Sequence, residues 1–537
     1  LQCAQAHLRR MAGLPTVVRR RRRVPYADAA DRPTTGARAD DARFPLSSTL
    51  VLPGRYVMAR SFTGKLVALG CGSVSQCTLP LLVRHLMPAD RITIIDPRDN
   101  RDRVKDILDA GATYVFDEVT QDNLDSLLSA HLSAGDILLD LAWNIDANAI
   151  IGWAHDHGVM YLNTSVEEWD PYVAGASRPP LERTLYHRHM RMRAMKNSWT
   201  TKGATAVVEH GANPGMVSHL AKQALVEIGT RALSDGLAGD AAAVESALAA
   251  EDFARLAQAL TVKVIHIAER DTQVSGKPKQ VDEFVNTWSV DGFYEEGIAP
   301  AEMGWGTHEK QLPPNAYVHT GEGPCNQIAL ARPGALTWVR SWVPSCETMG
   351  MVVRHGEAFT MCDHLTVWED GKAVYRPTVH YAYCPSDAAI ASMHELQMRQ
   401  WDLQANQRIM NEEIISGEDR LGVLLMGHPY KSWWTGSLLD IHTARELVPG
   451  QSATTLQVAA SVYAAIAWMI DNPEQGLLVP DDLPYRPLLD LMTPYLGQMW
   501  SGPADWDPLQ TRNQLFAGWD GREFDTDDPW QFTNFLV

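Results

Sequence analysis

The sequence predicts an α/β fold in more than one domain, and three observations predict it. A buried-type apolar run, Leu66–Leu69, is followed at once by the turn Gly70-Cys71-Gly72-Ser73-Val74-Ser75 and an apolar helical stretch through Leu79, Leu81, Leu82 and Val83. Strand-like runs then alternate with helical ones as far as Asn163, the pattern of a parallel sheet wound with helices. The chain has 537 residues, too many for one ordinary core, so two domains or three are expected.

A glycine turn between a strand and a helix is the setting in which backbone amides cradle a diphosphate. Gly70 permits the tight turn. Gly72 lets the backbone approach the pyrophosphate, which sits on the helix N-terminus formed by Ser73, Val74 and Ser75. Ser75 stands where a third glycine is usual, and its small side chain still allows close helix–strand packing. The next strand, residues 91–95, ends in Asp96, where a ribose-binding carboxylate belongs, which favours NAD over NADP. Further strands are expected near residues 114–116 and 137–141 and at Met160–Asn163. The last runs into Thr164-Ser165-Val166-Glu167-Glu168-Trp169. Ligands lie outside the carboxyl ends of strands in open α/β sheets, so Thr164 and Glu167 are placed to face the cofactor. Residues 61–175 are read as a Rossmann-type NAD-binding domain.

Composition bounds the remainder. The chain is 45% hydrophobic and 21% charged, with a formal net charge of -18. An acidic balance argues against a nucleic-acid partner, which needs basic patches, and favours a polycation. The seven cysteines include no C-x-x-C pair, which suits reduced thiols in a cytoplasmic enzyme. No H-E-x-x-H occurs, and no metal site is expected. Nothing approaches the ~18 consecutive apolar residues of a membrane span, so no membrane partner is expected. Residues 1–60 carry five arginines at 19–23, with Asp28, Asp31, Asp40 and Asp41 beyond them. That stretch is expected to be a disordered leader; no apolar run follows its basic block as a secretory signal requires. Met58 is a candidate natural start.

After residue 170 the sequence becomes dense in Trp, His, Glu and Gly, and residues 176–430 are read as the substrate domain. Gly211-Ala212-Asn213-Pro214-Gly215 reads as a join between domains, with Asn213 able to offer both a donor and an acceptor. In His266-Ile267-Ala268-Glu269-Arg270-Asp271, Glu269 and Asp271 alternate with apolar neighbours, so one of them can point into a cleft. Phe284-Val285-Asn286-Thr287-Trp288 alternates like a strand with Trp288 on the face of Phe284 and Asn286. A tryptophan beside a carboxylate suits an alkylammonium. In Arg354-His355-Gly356-Glu357, the His and Glu share a face if the segment is a strand, which suits an acid–base pair. From residue 386 the chain turns helical, with amphipathic stretches at 393–410 and 455–469, a strand at 421–425, and an acidic-aromatic tail at 525–537. Residues 431–537 are expected to be largely helical and to complete the cofactor domain or a dimer interface.

Several strings in order resemble the bacterial homospermidine synthases, from about residue 65 to the C-terminus: GANPGMVS at 211–218, HIAERDTQ at 266–273, FVNTWSV at 284–290, GWGTHEK at 304–310, YRPT at 375–378, HYAY at 380–383 and DPWQF at 528–532. The resemblance implies a Rossmann-type NAD domain joined to a mixed α/β substrate and dimerisation domain, in a homodimer of the saccharopine dehydrogenase-like group. It implies a reaction in which putrescine loses a hydride to NAD, the imine exchanges ammonia for a second putrescine, and the returned hydride leaves homospermidine; spermidine can serve as donor. It also implies that Glu167, Asn213, Glu269, Trp288, His355 and Glu357 line the substrate site. Trp288 would stabilise cationic character by its π face and Glu269 would hold a nitrogen beside it. Glu167 and Asn213 would hold the innermost amine or move its proton. The segment Val208-Glu209-His210 departs from the family, which more often has small residues or cysteine there. The rival readings are a carboxynorspermidine or saccharopine-type dehydrogenase, which would need basic side chains for an amino-acid carboxylate, and a non-catalytic NAD-binding regulator, which would have no use for Glu269, Trp288 and His355 together.

Overall fold

The computed structural model describes residues 62–171, 177–512 and 523–537; the leader expected over residues 1–60 lies outside them. The first strands form where expected: β1 (Leu66–Leu69), β2 (Ile92–Ile95), β3 (Thr113–Val115), β4 (Ile137–Asp140) and β5 (Met160–Asn163). With β6 (Ala206–Val207) and the late strand Leu477–Leu478 they make a seven-stranded sheet. Its spatial order is Leu477–Leu478, β6, β5, β4, β1, β2, β3, and every pairing is parallel. Nearly continuous apolar strands such as Leu66-Val67-Ala68-Leu69 are what a parallel sheet covered on both faces requires. Leu66 and Ala68 face one apolar layer and Val67 and Leu69 the other.

Two expected boundaries move. The cofactor sheet does not end at residue 175, because β6 and the helix Leu185–Ser198 follow that point. Residues 431–537 hold more helix than strand, but they also contribute the strands Ser432–Asp440 and Gln498–Pro503 to the second sheet and Leu477–Leu478 to the first. Between these strands runs the helix Ala453–Asp471, capped by the Ser452 hydroxyl, which accepts from Thr455 N at 3.1 Å. It packs on the helix Ser73–His85 behind the glycine turn. By length and apolar content it could cross a membrane, yet 83% of that window is buried inside the protein. It is a core helix, hydrophobic all round because it is covered all round.

The second sheet has ten strands. At its centre Val264–Asp271 pairs in parallel with Thr378–Cys384 and antiparallel with Glu418–Met426. Strand alternation gives its two faces different jobs. Val264 and Ala268 join one core with Ala382, Leu424 and Met426, while Ile267, Tyr381 and Tyr383 belong to the large core shared with the cofactor domain. Glu269 is on the latter face, level with Tyr383. The aromatic tail closes the opposite face, where Phe532 and Phe535 are buried.

The glycine turn is closely packed at Gly70. Gly70 has φ +82°, and a Cβ there would lie 2.8 Å from the carbonyl oxygen of Leu141. Left-handed backbone costs a residue with a Cβ ~1–2 kcal/mol before that clash. Gly70→Ala is therefore expected to lower stability by about 1–3 kcal/mol and to weaken dinucleotide binding, measured by calorimetric melting with and without NAD; an unchanged melt in both states would show that the turn tolerates the side chain.

Candidate active site

The carboxyl ends of β4 and β5 open on a cleft whose far wall is the central strand of the second sheet. Thr164, Ser165, Val166 and Glu167 line the near side, with Val74 from the start of the helix Ser73–His85. Glu269 and Tyr381 come from paired strands of the second sheet, and Trp288 from the turn before the helix Val290–Ile298. Thr454 and Val458 reach in from the helix Ala453–Asp471. Residues nearly 400 positions apart thus share one cavity because that helix returns beneath the glycine turn.

At the inner wall, Glu269 is 2% exposed and accepts from Asn213 Nδ2 at 3.1 Å and from the Tyr381 hydroxyl. Tyr381 stacks on Tyr383, ring centroids 5.0 Å apart, and the Tyr383 hydroxyl accepts from Trp288 Nε1 at 3.0 Å. The indole is thereby held by its edge with its body in the cleft. Burial, and then the charge of Asp271, push the Glu269 carboxyl up to about 8.

Near β5, Glu167 faces a buried ion cluster. Arg188 donates to Glu295 at 2.6 Å and to the carbonyl of Val166 at 2.5 Å, and its guanidinium is 3.9 Å from Glu167. Arg354 binds the same Glu295. Burial works against the Glu295 charge, but the two arginines outweigh it and hold that carboxyl down at about 2. Glu167 goes the other way: burial, and then the Glu295 charge beside it, push it up to about 8. Two neighbouring carboxyls whose surroundings drive them apart are the arrangement of an acid–base site.

His355 is the N-cap of the helix Gly356–His364, not part of a strand as the spacing suggested. Its Nδ1 lies 3.3 Å from Glu357 and its Nε2 3.2 Å from Glu296. Burial disfavours the imidazolium, yet Glu296 and Glu357 together push His355 well above its ordinary value. Glu357 is completely buried behind His355 and acts on the cleft through that ring, whereas Glu296 lines the cleft itself.

The cofactor end suits a dinucleotide. The helix Ser73–His85 begins at Gly72 with no side-chain cap, whereas Asp146 and Ser452 cap the helices that follow them. The amides of Ser73, Val74 and Ser75 are thus left for an anion, and a Cβ at Gly72 would meet nothing within 4 Å, which leaves open space above the turn. Ser75 Oγ bonds to the Gly70 carbonyl, so the side chain replacing a third glycine closes the turn rather than blocking it. Asp96, at the end of β2, accepts from Cys71 N and Arg98 N, each at 2.6 Å.

The structure therefore brings Glu167, Asn213, Glu269, Trp288 and His355 to one cleft, with Thr164 and Val74 at its cofactor side. Trp288 does so from a turn, since the strand Glu283–Asn286 ends before it and Phe284 and Asn286 are buried elsewhere. Sequence reading missed Arg188, Glu209, Glu295, Glu296 and Tyr381. Glu295-Glu296 follows the Trp288 string directly and Tyr381 lies inside HYAY, so both were signalled by position. Arg188, amid a surface-like run of basic residues, carried no signal. Among the described residues, no group of three or more His, Cys, Asp and Glu side chains is placed to hold a metal ion.

The saccharopine dehydrogenase NADP binding domain family matches residues 66–207, and the saccharopine dehydrogenase C-terminal domain family residues 211–502. A homospermidine synthase of Blastochloris viridis is 42% identical over 483 residues, covering 88% of this chain and 97% of the relative. One of Mesorhizobium japonicum is 40% identical over 482 residues, covering 88% and 96%. Among solved structures, the homospermidine synthase of Legionella pneumophila in complex with NAD superposes with a TM-score of 0.79 at 37% identity, covering 89% of this chain and 98% of that one.

The two carboxylates at His355 predict its titration. In selectively labelled protein followed by NMR, the His355 ring should remain protonated at pH 7.5. Glu296→Gln and Glu357→Gln should each lower its pKa by about one unit or more, the charge–charge effect of losing a buried neighbour; a ring already neutral in the wild type would refute the arrangement.

Proposed function

The chain belongs to the homospermidine synthase family, and on that premise we propose that it joins two putrescine molecules into homospermidine with release of ammonia, NAD serving as a recycled prosthetic group. The observation that carries this reading is the charge of the cleft. Five glutamates line it, Glu167, Glu209, Glu269, Glu295 and Glu296, and its two arginines are both bound to Glu295. A dehydrogenase acting on an amino acid needs a cation to meet the substrate carboxylate; both arginines and His355 are already paired with glutamates, and Glu167, Glu209 and Glu269 are left over for the nitrogens of a diamine. A regulator that only bound NAD would need none of this.

When bound, NAD takes a hydride from the substrate's aminomethylene carbon and later returns it. Gly70, Gly72 and the amides of Ser73, Val74 and Ser75 would hold its diphosphate, Asp96 the ribose of its adenosine half, and Thr164 its end nearest the cleft. The neighbouring Asp96 carboxylate disfavours a phosphate on that ribose, so NAD is preferred although the matching family is described by NADP. The protein's own part is to hold the diamine and move its protons. A reacting amine must be neutral while the far amine stays an ammonium. Glu269, with Asn213 and the Tyr381 hydroxyl fixing it, would hold one nitrogen beside the Trp288 face. Glu167, poised near neutral pH, would take or give the proton of the other. Trp288 would stabilise positive charge on the substrate between them. His355, backed by Glu357 and paired with Glu296, would form the outer end of the site. A homodimer is part of the same proposal, from the family reading alone. The six described cysteines are all free, in keeping with a reducing cytoplasm.

The deciding experiment incubates purified protein with putrescine and substoichiometric NAD and follows amines by mass spectrometry. Homospermidine and ammonia are expected over many turnovers per NAD without net NADH. NADH rising in step with substrate loss would establish a dehydrogenase instead.

Two further outcomes are expected. Trp288→Leu should lower kcat/KM by about 2- to 30-fold, the ~0.5–2 kcal/mol of a cation–π contact; unchanged kinetics would remove the indole from the mechanism. Glu269 must be ionised to hold an ammonium, and Glu167 to take a proton from the reacting amine. With both raised to about 8, the KM for putrescine should fall as pH rises through 8, until the amines themselves lose protons near ~10. A KM constant from pH 6.5 to 9 would contradict it.

A further inference from the structure

Glu209 has no part in the roles above beyond its charge, yet its side chain lines the cleft while its exposure is only 1%. The residue is fixed from both ends. Its backbone has φ +56°, a left-handed conformation that side-chain-bearing residues adopt at a cost, and its amide donates to Asn163 Oδ1 at 2.7 Å at the end of β5. Its Oε2 accepts from His189 Nε2 at 2.8 Å.

The histidine holds the carboxylate through Nε2 alone. His189 Nδ1 is buried with no hydrogen-bond partner. Among the described residues no arginine or lysine pairs with Glu209, in contrast to Glu295 with its two. The backbone also makes room for the group: a Cβ at Gly356 would lie 1.9 Å from Glu209 Oε2, so a side chain there would push the carboxylate out of its present place.

A buried carboxylate with no arginine or lysine beside it is costly to keep charged unless a cation comes to it. On the reading that this cleft takes diamines, we propose that Glu209 is a further binding carboxylate, receiving a terminal ammonium of the substrate and so setting which chain length fits best. Glu209 and His189 then form one unit, the histidine holding the carboxylate in place and the carboxylate measuring the amine.

The test is calorimetric titration of 1,3-diaminopropane, putrescine and cadaverine into the NAD-loaded enzyme, with steady-state turnover of putrescine alongside. Glu209→Gln keeps an acceptor for His189 and removes the charge. It should weaken putrescine binding at least about tenfold, and the affinities for the three diamines should converge to within about threefold of one another. Glu209→Asp keeps the charge but withdraws it by one methylene, and should shift the preference towards cadaverine. It carries the test alone if the amide variant does not fold. Wild-type affinity and wild-type length order in either folded variant would overturn the proposal. Wild-type protein that binds the diamines but makes no homospermidine would overturn the synthase reading instead, and the affinity series would still decide the role of Glu209.

Discussion

The site depends on one buried ion cluster, the carboxylate of Glu295 held by Arg188 and Arg354. The three residues come from three separate elements. Arg188 lies in the helix Leu185–Ser198 and also grips the backbone at Val166, just past the end of β5. Glu295 lies in the helix that follows Trp288, and Arg354 immediately precedes His355. Their contact joins the rim of the cofactor sheet to the walls that carry the candidate substrate residues. Such a cluster is a poor source of net stability, because desolvation consumes most of the attraction, but breaking it strands a buried charge. It is better understood as a geometric constraint that permits only one relative placement of those walls.

The same cluster sets the chemistry. By taking both arginines, Glu295 leaves the cleft without an uncommitted guanidinium. By staying ionised, it raises the neighbouring Glu167 into the range where a carboxyl can exchange protons near neutral pH. Glu269 reaches the same range by burial on the central strand, and His355 is raised as well, by its two glutamates, which favours its charged form. Groups of the same kind thus come to differ in protonation through their surroundings, as is needed where one amine must be neutral while its twin is charged.

The cofactor turn and the substrate wall are coupled through the helix Ala453–Asp471. It packs under the helix of the glycine turn, supplies Thr454 and Val458 to the cleft, and through Ser461 bonds His210 next to the Asn213 segment. The helix Ala453–Asp471 is therefore part of the floor of the cleft.

The sequence by itself determined the first five parallel strands, the glycine turn and Asp96, because those features are local: apolar runs, a turn composition, an acid at a strand end. It also marked Asn213, Glu269, Trp288 and His355, whose residue types stand out in short dense strings. Tertiary structure alone decided where the cofactor domain ends, since β6 and Leu477–Leu478 are two-residue strands, too short to carry any periodicity. It turned the His355–Glu357 pair from a strand face into a helix start, because a two-residue spacing fits either when read without its neighbours. It also decided Arg188 and Glu209. Each has its meaning only from what lies opposite, and a partner a hundred residues away leaves no trace in the local sequence.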